Sequence, residues 1–481
     1  MTDSSTHDAG HPTGPLVAAP GDDAVTVLLA EALCAAVEAH GVPGAVAGVV
    51  VGDTRHVTGV GVGNAELPRP VDADTLFQVG SITKTLTSSA AMILVEEGLI
   101  DLDDPVERHL PGLGAMTGLD TEAITVEVAL DHRAGFDGDH LFVEGGGEGL
   151  ATLSTARRFF DPDRGWSYNN AGFSIVGEVI AAVTGSGYGE FVRNRLLNPL
   201  GMGTAGFSAD EVITRDVAAP HWVFDGTAYL LRGIGWQPGW ELTPIDRAAG
   251  GLVASVAHLL EWCRFQWTGR DLDGVRILSD DSLARLRTPV GPEVTPGLSV
   301  GLDWFVRHRK PPADDDAGER ATVTTIEHGG TTVGYVSELV VAPSENVGLV
   351  CLTNATNGAA VIETVRRRLL SELLGVVEED PVVDADIDPD LERLIGTYEH
   401  SFATLTVTAG ESPGTVVITP SARDIDGWQP PVTSPVTFGF YGSDDAVSVD
   451  QIPPVRTVRF DPDGDTARWL LWDQRRAPRT A

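Results

Sequence analysis

The stretch Val79-Gly80-Ser81-Ile82-Thr83-Lys84, continuing as Thr85-Leu86-Thr87-Ser88-Ser89-Ala90-Ala91-Met92-Ile93-Leu94-Val95-Glu96-Glu97, decides how the chain is read. A helical pattern starts at Ser81 and runs to about Glu97, where Gly98 can cap it. Three-residue spacing on a helix sets Lys84 one turn from Ser81, on the same face. A serine hydroxyl needs a base to become a nucleophile, and a lysine among apolar neighbours can serve, because burial lowers its pKa. The helix N-terminus also favours negative charge developing at Ser81. S-x-x-K by itself occurs at many exposed helix starts. Here the lysine is one of only two in the chain, Lys84 and Lys310, among 33 basic residues.

Two more stretches carry polar groups suited to the same chemistry. Tyr168-Asn169-Asn170 follows Gly165-Trp166-Ser167 and leads into a helical segment, Ala171 to Ala182. A phenol near Lys84 can relay a proton to a leaving group, and Asn170 can hold the lysine or a substrate amide. The plain alternative is a packed tyrosine and a capping asparagine. Glu327-His328-Gly329-Gly330-Thr331 ends a strand run. Its glycines let a substrate lie along the strand edge, and a backbone N–H near Thr331 can face an oxyanion. The plain alternative there is a glycine-rich hairpin with an exposed histidine.

In this order and at these separations, S-x-x-K, Y-x-N and H-x-G resemble the penicillin-binding-protein and class C β-lactamase-related superfamily of serine hydrolases. Leu99-Ile100-Asp101-Leu102-Asp103-Asp104-Pro105-Val106 is similar to the segment after its nucleophile helix. Leu130-Asp131-His132-Arg133-Ala134-Gly135-Phe136 is similar to its Leu-x-x-His-x-Ser-Gly-Leu turn, with Ala134 replacing Ser, and Ala249-Gly250-Gly251-Leu252 to its Gly-Gly-Leu segment. The resemblance covers about residues 25–375. It implies an α/β fold, a mainly antiparallel sheet flanked by helices with a helical inserted subdomain, and a site between them.

Carried over by position, the resemblance makes Ser81 the acylated nucleophile, Lys84 its partner, and Tyr168 the general base and proton shuttle. The backbone N–H groups of Ser81 and Thr331 form the oxyanion hole. Asn170, His328, Gly329 and Gly330 bind substrate. His328 stands where penicillin-related members carry the lysine of a Lys-Thr-Gly triplet, a weaker and pH-dependent partner for a substrate carboxylate. H-x-G is similar instead to esterase and D-aminopeptidase relatives, some with a small lipocalin-like barrel at the C-terminus. The activity implied is cleavage of esters or small amides and peptides through an acyl-enzyme on Ser81. The alternatives are a penicillin-binding-protein-type thioesterase or peptide cyclase, a β-lactamase, or, in another class, a catalytically silent ligand-binding protein.

Composition bounds the rest. At 481 residues the chain is too long for one ordinary core. The start, residues 1–23, is polar, acidic and Pro/Gly-bearing, read as a flexible tail with no secretory signal. The hydrolase domain is expected over 24–375, with an acidic linker over 376–389. Short alternating runs over 390–481, such as Ala403-Thr404-Leu405-Thr406-Val407, read as a small antiparallel barrel or sandwich. No apolar run reaches a bilayer span, and the net charge of −36 argues against a nucleic-acid partner. A small-molecule ester, amide or peptide is the expected partner. No membrane association, cofactor or metal site is expected, the location is read as cytoplasmic, and the oligomeric state is open. Cys34, Cys263 and Cys351 read as buried free thiols. His132 and His140 lack metal-ligand company and read as structural.

Two features remain outside that scheme. Gly297-Leu298-Ser299-Val300-Gly301 matches G-x-S-x-G, but the run Leu298 to Val306 reads as one continuing strand, whereas a nucleophile elbow must enter a helix. Trp469, Trp472, Arg475, Arg476 and Arg479 cluster near the end of a strongly acidic chain. They read either as a packed closing strand whose cations pair with surface acids, or as groups that meet an anionic part of a substrate.

Overall fold

The computed structural model describes residues 22–143, 149–231, 240, 242–310, 321–422, 434–450 and 455–480. The tail expected over 1–23 lies outside these residues except at its end, where a helix, Asp22–His40, has already begun.

Alternation along the strand Gly44–Val51 sets up the layers. Ala45, Ala47 and Val49 face the helices Asp22–His40 and Gly358–Leu374, while Val46 and Val50 face the helix Val256–Thr268. Both faces are covered, so the strand reads as a continuous apolar run rather than a polar–apolar alternation. It sits inside a seven-stranded antiparallel sheet. The strand order is Thr54–Gly61, Gly44–Val51, Val347–Thr353, Tyr335–Ala342, Val323–Thr332, Phe305–Arg309 and Ser299–Val300. Register is set by pairs such as Val46 with Leu352 and Leu339 with His328.

The Ser81 segment begins as a 3₁₀ turn, Gly80–Ile82, and continues as an α-helix, Thr83–Glu96, with Gly98 at φ +68° beyond it. Every residue from Thr83 to Leu94 is buried. A helix so rich in hydroxyls tolerates this because they bond back to the preceding turn. Thr85 donates to the Ile82 carbonyl, Ser88 to Lys84 and Ser89 to Thr85. Trp262 Nε1 donates to Thr85 Oγ1 at 2.9 Å, tying the helix Val256–Thr268 to the helix that carries the site.

One element differs from expectation in a way that matters. The run Leu298 to Val306 is not one strand but two, Ser299–Val300 and Phe305–Arg309, joined by a reversal in which Asp303 takes φ +75°. The Gly301 N–H bonds to the Trp304 carbonyl and closes the turn at 2.9 Å. No helix follows Ser299, so the G-x-S-x-G match is not an elbow.

Residues 376–389 carry no helix or strand. After them, eight antiparallel strands run in sequence order from Gly396–His400 to Arg475–Pro478 around Leu405, Ile418, Phe438, Phe440 and Phe460. The last strand returns towards the first through a bridge between Tyr398 and Arg479, giving a nearly closed barrel consistent with a lipocalin-like domain. Cys263 and Cys351 are buried, but Cys34 is exposed, because Leu29, Leu33 and Ala36 set the inward face of its helix. Among the described residues no helix is long and apolar enough to cross a membrane.

If Trp262 anchors the Ser81 helix chiefly by ring packing, Trp262→Phe should cost about 1 kcal/mol, a single hydrogen bond. Trp262→Ala should cost about 3–5 kcal/mol as a cavity opens. Thermal or denaturant unfolding of the two variants checks the ratio.

Candidate active site

The 3₁₀ turn leaves Ser81 partly exposed at the head of a buried helix, and Lys84 comes up beneath it with no exposed surface. Lys84 Nζ lies 2.9 Å from Ser81 Oγ and also donates to the Ala249 carbonyl. Ala249 precedes the Gly250-Gly251-Leu252 segment, which is held to the same turn by Leu252 N–H to Thr83 Oγ1 at 3.0 Å. Burial pushes the Lys84 ammonium down to about 7. Asp303, Asp139 and Asp246 pull it back up, and Arg475 pushes it further down.

Tyr168 is buried, and its hydroxyl is hydrogen-bonded to Ser81. Its ring lies between two cations, with Lys84 Nζ 5.0 Å and the Arg475 guanidinium 4.9 Å from the centroid. Burial, then the charge of Asp303, raise the phenol above its ordinary range, and the Ser81 hydrogen bond and Arg475 only partly offset this. A resting phenolate is therefore disfavoured. Of the two groups beside Ser81, Lys84, near 7, is the one that exchanges a proton at neutral pH.

The strand Val323–Thr332 passes close beside the nucleophile turn. A Cβ on Gly330 would fall 1.9 Å from the Val79 carbonyl oxygen, so only glycine permits the approach. The Val79 carbonyl also accepts from Ser337 Oγ at 2.8 Å. Gly80 lies against the Thr331 nitrogen, which would be 2.8 Å from a Cβ at position 80. Gly329 and Thr331 are exposed along this edge.

His328 does not face out as the carboxylate partner expected of it. It is buried, with Nε2 3.2 Å from Asp303 Oδ1 and Nδ1 2.6 Å from the Gly329 carbonyl oxygen. Both ring nitrogens are thus engaged by oxygens of the protein itself. No nitrogen is left for a substrate.

His132 is the complementary case. Its Nδ1 accepts from the Asn169 N–H at 2.9 Å, so Nε2 carries the proton and donates to the same Asp303 Oδ1 at 3.2 Å. Burial pushes the His132 imidazolium form down, and the ring stacks on Tyr168 at 4.4 Å between centroids. The reading of His132 as structural thus becomes a specific one, a neutral imidazole fixing the Tyr168 ring. Burial alone would raise the Asp303 carboxyl, but the His328 charge and the hydrogen bonds from both imidazoles hold it below its ordinary value. Asp303 Oδ2 is buried with no hydrogen-bond partner among the described residues.

Asn169, not Asn170, caps the helix Asn170–Thr184, its side chain accepting from Gly172 N–H at 2.8 Å. Asn170 donates to Asp139 at 2.5 Å rather than to Lys84. Asp139 is in turn paired with Arg475 from the last barrel hairpin. That hairpin is joined to the site by its backbone too, with Tyr168 N–H to the Gln474 carbonyl at 2.9 Å and Arg476 N–H to Ser167 Oγ at 3.1 Å. Sequence reasoning missed Asp303, Asp139 and the direct part of Arg475. Among the described residues no group of three or more His, Cys, Asp and Glu side chains is placed to hold a metal ion.

With the fold and this Ser–Lys–Tyr cluster established, the relationship to known proteins is direct. The chain matches the Beta-lactamase family over residues 29–372 and belongs to it. It is 29% identical to "Penicillin-binding protein 4" of Amycolatopsis lactamdurans over 379 residues, 75% of this chain and 94% of the relative. The solved structure of SurE, also solved with D-Leu, superposes with a TM-score of 0.69 at 24% identity, covering 96% of this chain and all of that one. A D-stereospecific amidohydrolase from Streptomyces sp. superposes with a TM-score of 0.56 at 28% identity, covering 73% of this chain and 99% of that one. These solved neighbours share the β-lactamase fold, and the one from Streptomyces sp. is an amidohydrolase.

The opposed charges around Lys84 predict opposed pH shifts. Activity dependent on neutral Lys84 should rise with pH through about 7. Asp303→Asn removes a negative charge that favours the ammonium, so the acid limb of kcat/KM should move to lower pH. Arg475→Gln removes a positive charge that disfavours it, so that limb should move to higher pH. Profiles of kcat/KM for the two variants check the signs.

Proposed function

We propose that the protein is a serine hydrolase that transfers an acyl group through an ester on Ser81, with small esters and amides as substrates. The observation that carries the reading is the 2.9 Å contact between Ser81 Oγ and a lysine whose burial brings it to about 7. As Ser81 Oγ attacks the substrate carbonyl, Lys84 takes its proton. The oxyanion forms between the N–H groups of Ser81 and Thr331, a reading supported by the close approach of Gly80 to the Thr331 nitrogen. Tyr168, beside the same Oγ, relays the proton from the Lys84 ammonium to the leaving alkoxide or amine, so that it ends the step as a phenol and Lys84 ends it neutral. Water or an amine then takes the acyl group, with Lys84 and Tyr168 acting in reverse.

The D-stereospecific amidohydrolase and the SurE complex with D-Leu favour amides with a D-residue beside the scissile bond. β-Lactams are poorer candidates. The histidine in the Lys-Thr-Gly position is buried with both ring nitrogens turned to Asp303 and Gly329, so it is not presented to a β-lactam carboxylate.

A fluorophosphonate should label wild type at one site, found at Ser81 by peptide mass, and Ser81→Ala should be neither labelled nor active on an aryl ester. Lys84→Arg should fold but lose about 10²-fold or more in acylation rate, since a guanidinium does not lose its proton at working pH. A folded wild-type protein that forms no adduct would instead support a silent binding protein. Intact-mass comparison of D- and L-aminoacyl amides and β-lactams should show the acyl adduct accumulating most readily with the D-series.

A further inference from the structure

A second concave site lies where the barrel meets the hydrolase core, on the reverse side of the hairpin that supports Tyr168. It is a cavity of about 240 Å³ walled by Phe159, Phe160 and Trp469, with Arg164, Arg468 and Arg476 around it. Successive residues of a strand point to opposite faces. Arg475 points to Tyr168 and Asp139, and Arg476, next in the strand Arg475–Pro478, points to this cavity.

The surroundings of Arg476 are unusual for a cation. Its guanidinium is stacked 4.1 Å from the Trp469 ring and 4.8 Å from the Phe160 ring. On a third side it lies against Gly165, where a Cβ would be 3.0 Å from both terminal nitrogens. The Nε is buried with no hydrogen-bond partner, and no carboxylate pairs with the group among the described residues. Asp461 is near enough to be felt but is already held by Arg468 Nε at 2.6 Å. The guanidinium is thus desolvated by aromatic faces and left without an anion, an arrangement that costs free energy until one arrives. Arg164, exposed at the mouth, also lacks a carboxylate partner among the described residues. Asp161, near it in sequence, is the unpaired acid on that loop, and Asp163 is taken by Arg133.

We propose that this cavity is a binding site for a small organic carboxylate. The guanidinium edge of Arg476 holds the anion, Arg164 assists at the mouth, and Phe159, Phe160 and Trp469 enclose an aromatic or aliphatic body. The cavity is smaller than the roughly 300–1,000 Å³ of drug-sized sites, so the ligand is of about amino-acid size. The planar fork of arginine suits a carboxylate. Occupancy would brace the hairpin whose other face touches Tyr168. The proposal does not depend on the chemistry at Ser81.

Phenylacetate serves as the probe, with phenylacetamide as its uncharged counterpart. Titration calorimetry on the full chain, with Trp469 contributing to a parallel fluorescence readout, should show phenylacetate binding that weakens as salt is raised and no comparable binding of phenylacetamide. Arg476→Gln should weaken the carboxylate at least tenfold and Arg164→Gln severalfold. Ser81→Ala should leave binding unchanged, which separates this site from the proposed acyl site. Because Arg476→Gln could disturb the seam, circular dichroism accompanies it, and Arg164→Gln, an exposed change, tests the site without that risk. No phenylacetate binding at millimolar concentrations would overturn the proposal and leave Arg476 as cation–π packing between the two halves. Equal binding by wild type and both arginine variants would overturn it as well.

Discussion

An ammonium group withdrawn from water is poised only by the charges that remain within reach, and the site is arranged around that constraint on Lys84. With no solvent exposure, its charged form is kept from being lost altogether by Asp303, Asp139 and Asp246, and kept from becoming permanent by burial and Arg475. The position near 7 is a balance among groups from separate parts of the chain. Each must therefore be held as firmly as the lysine itself, and much of the surrounding structure does this. Asp303 is gripped by two imidazoles, Asp139 by Arg475 and Asn170, and Asp246 by Thr243 and Ser174.

The two histidines on Asp303 show how hydrogen-bond partners can give like side chains different roles. His132 meets one donor and one acceptor, which fixes its tautomer, while His328 lies against two oxygens. Asp303, held between the two rings, is the carboxylate whose charge acts on both Lys84 and Tyr168. Removing either ring would leave this buried carboxylate short of a donor, which is costly. Histidine in the H-x-G position is thus part of the site's internal wiring rather than its outer surface.

Ser81, Lys84 and Tyr168 were legible because their chemistry depends on local spacing and on motifs that survive as short strings. The small barrel was legible from alternation and turns, whereas the antiparallel sheet was expected only through the family resemblance that those motifs carry. Asp303 was hidden because it lies inside Leu298 to Val306, whose residues have strand character, and nothing local announces that an aspartate takes a left-handed conformation there. Its partners, His132 and His328, are distant in sequence from it and from each other, so no pattern links the three. Asn169 and Asn170 could not be ranked as cap and site residue without knowing which one faces Asp139. The arginine cluster was visible as composition, but only strand alternation in three dimensions separates Arg475 from Arg476.

The hairpin that reaches Tyr168 has a bearing on how the molecule comes into being. Ser81 and Lys84 emerge from a ribosome long before Gln474 and Arg475 do, and chains fold progressively as they are made. Until the last barrel strands are translated, Asp139 has no guanidinium beside it, one face of the Tyr168 ring is bare, and the charge balance on Lys84 lacks its main cation. A nascent or prematurely terminated polypeptide would therefore carry the nucleophile without its tuning. Arrival of the last barrel hairpin becomes the event that tunes the site.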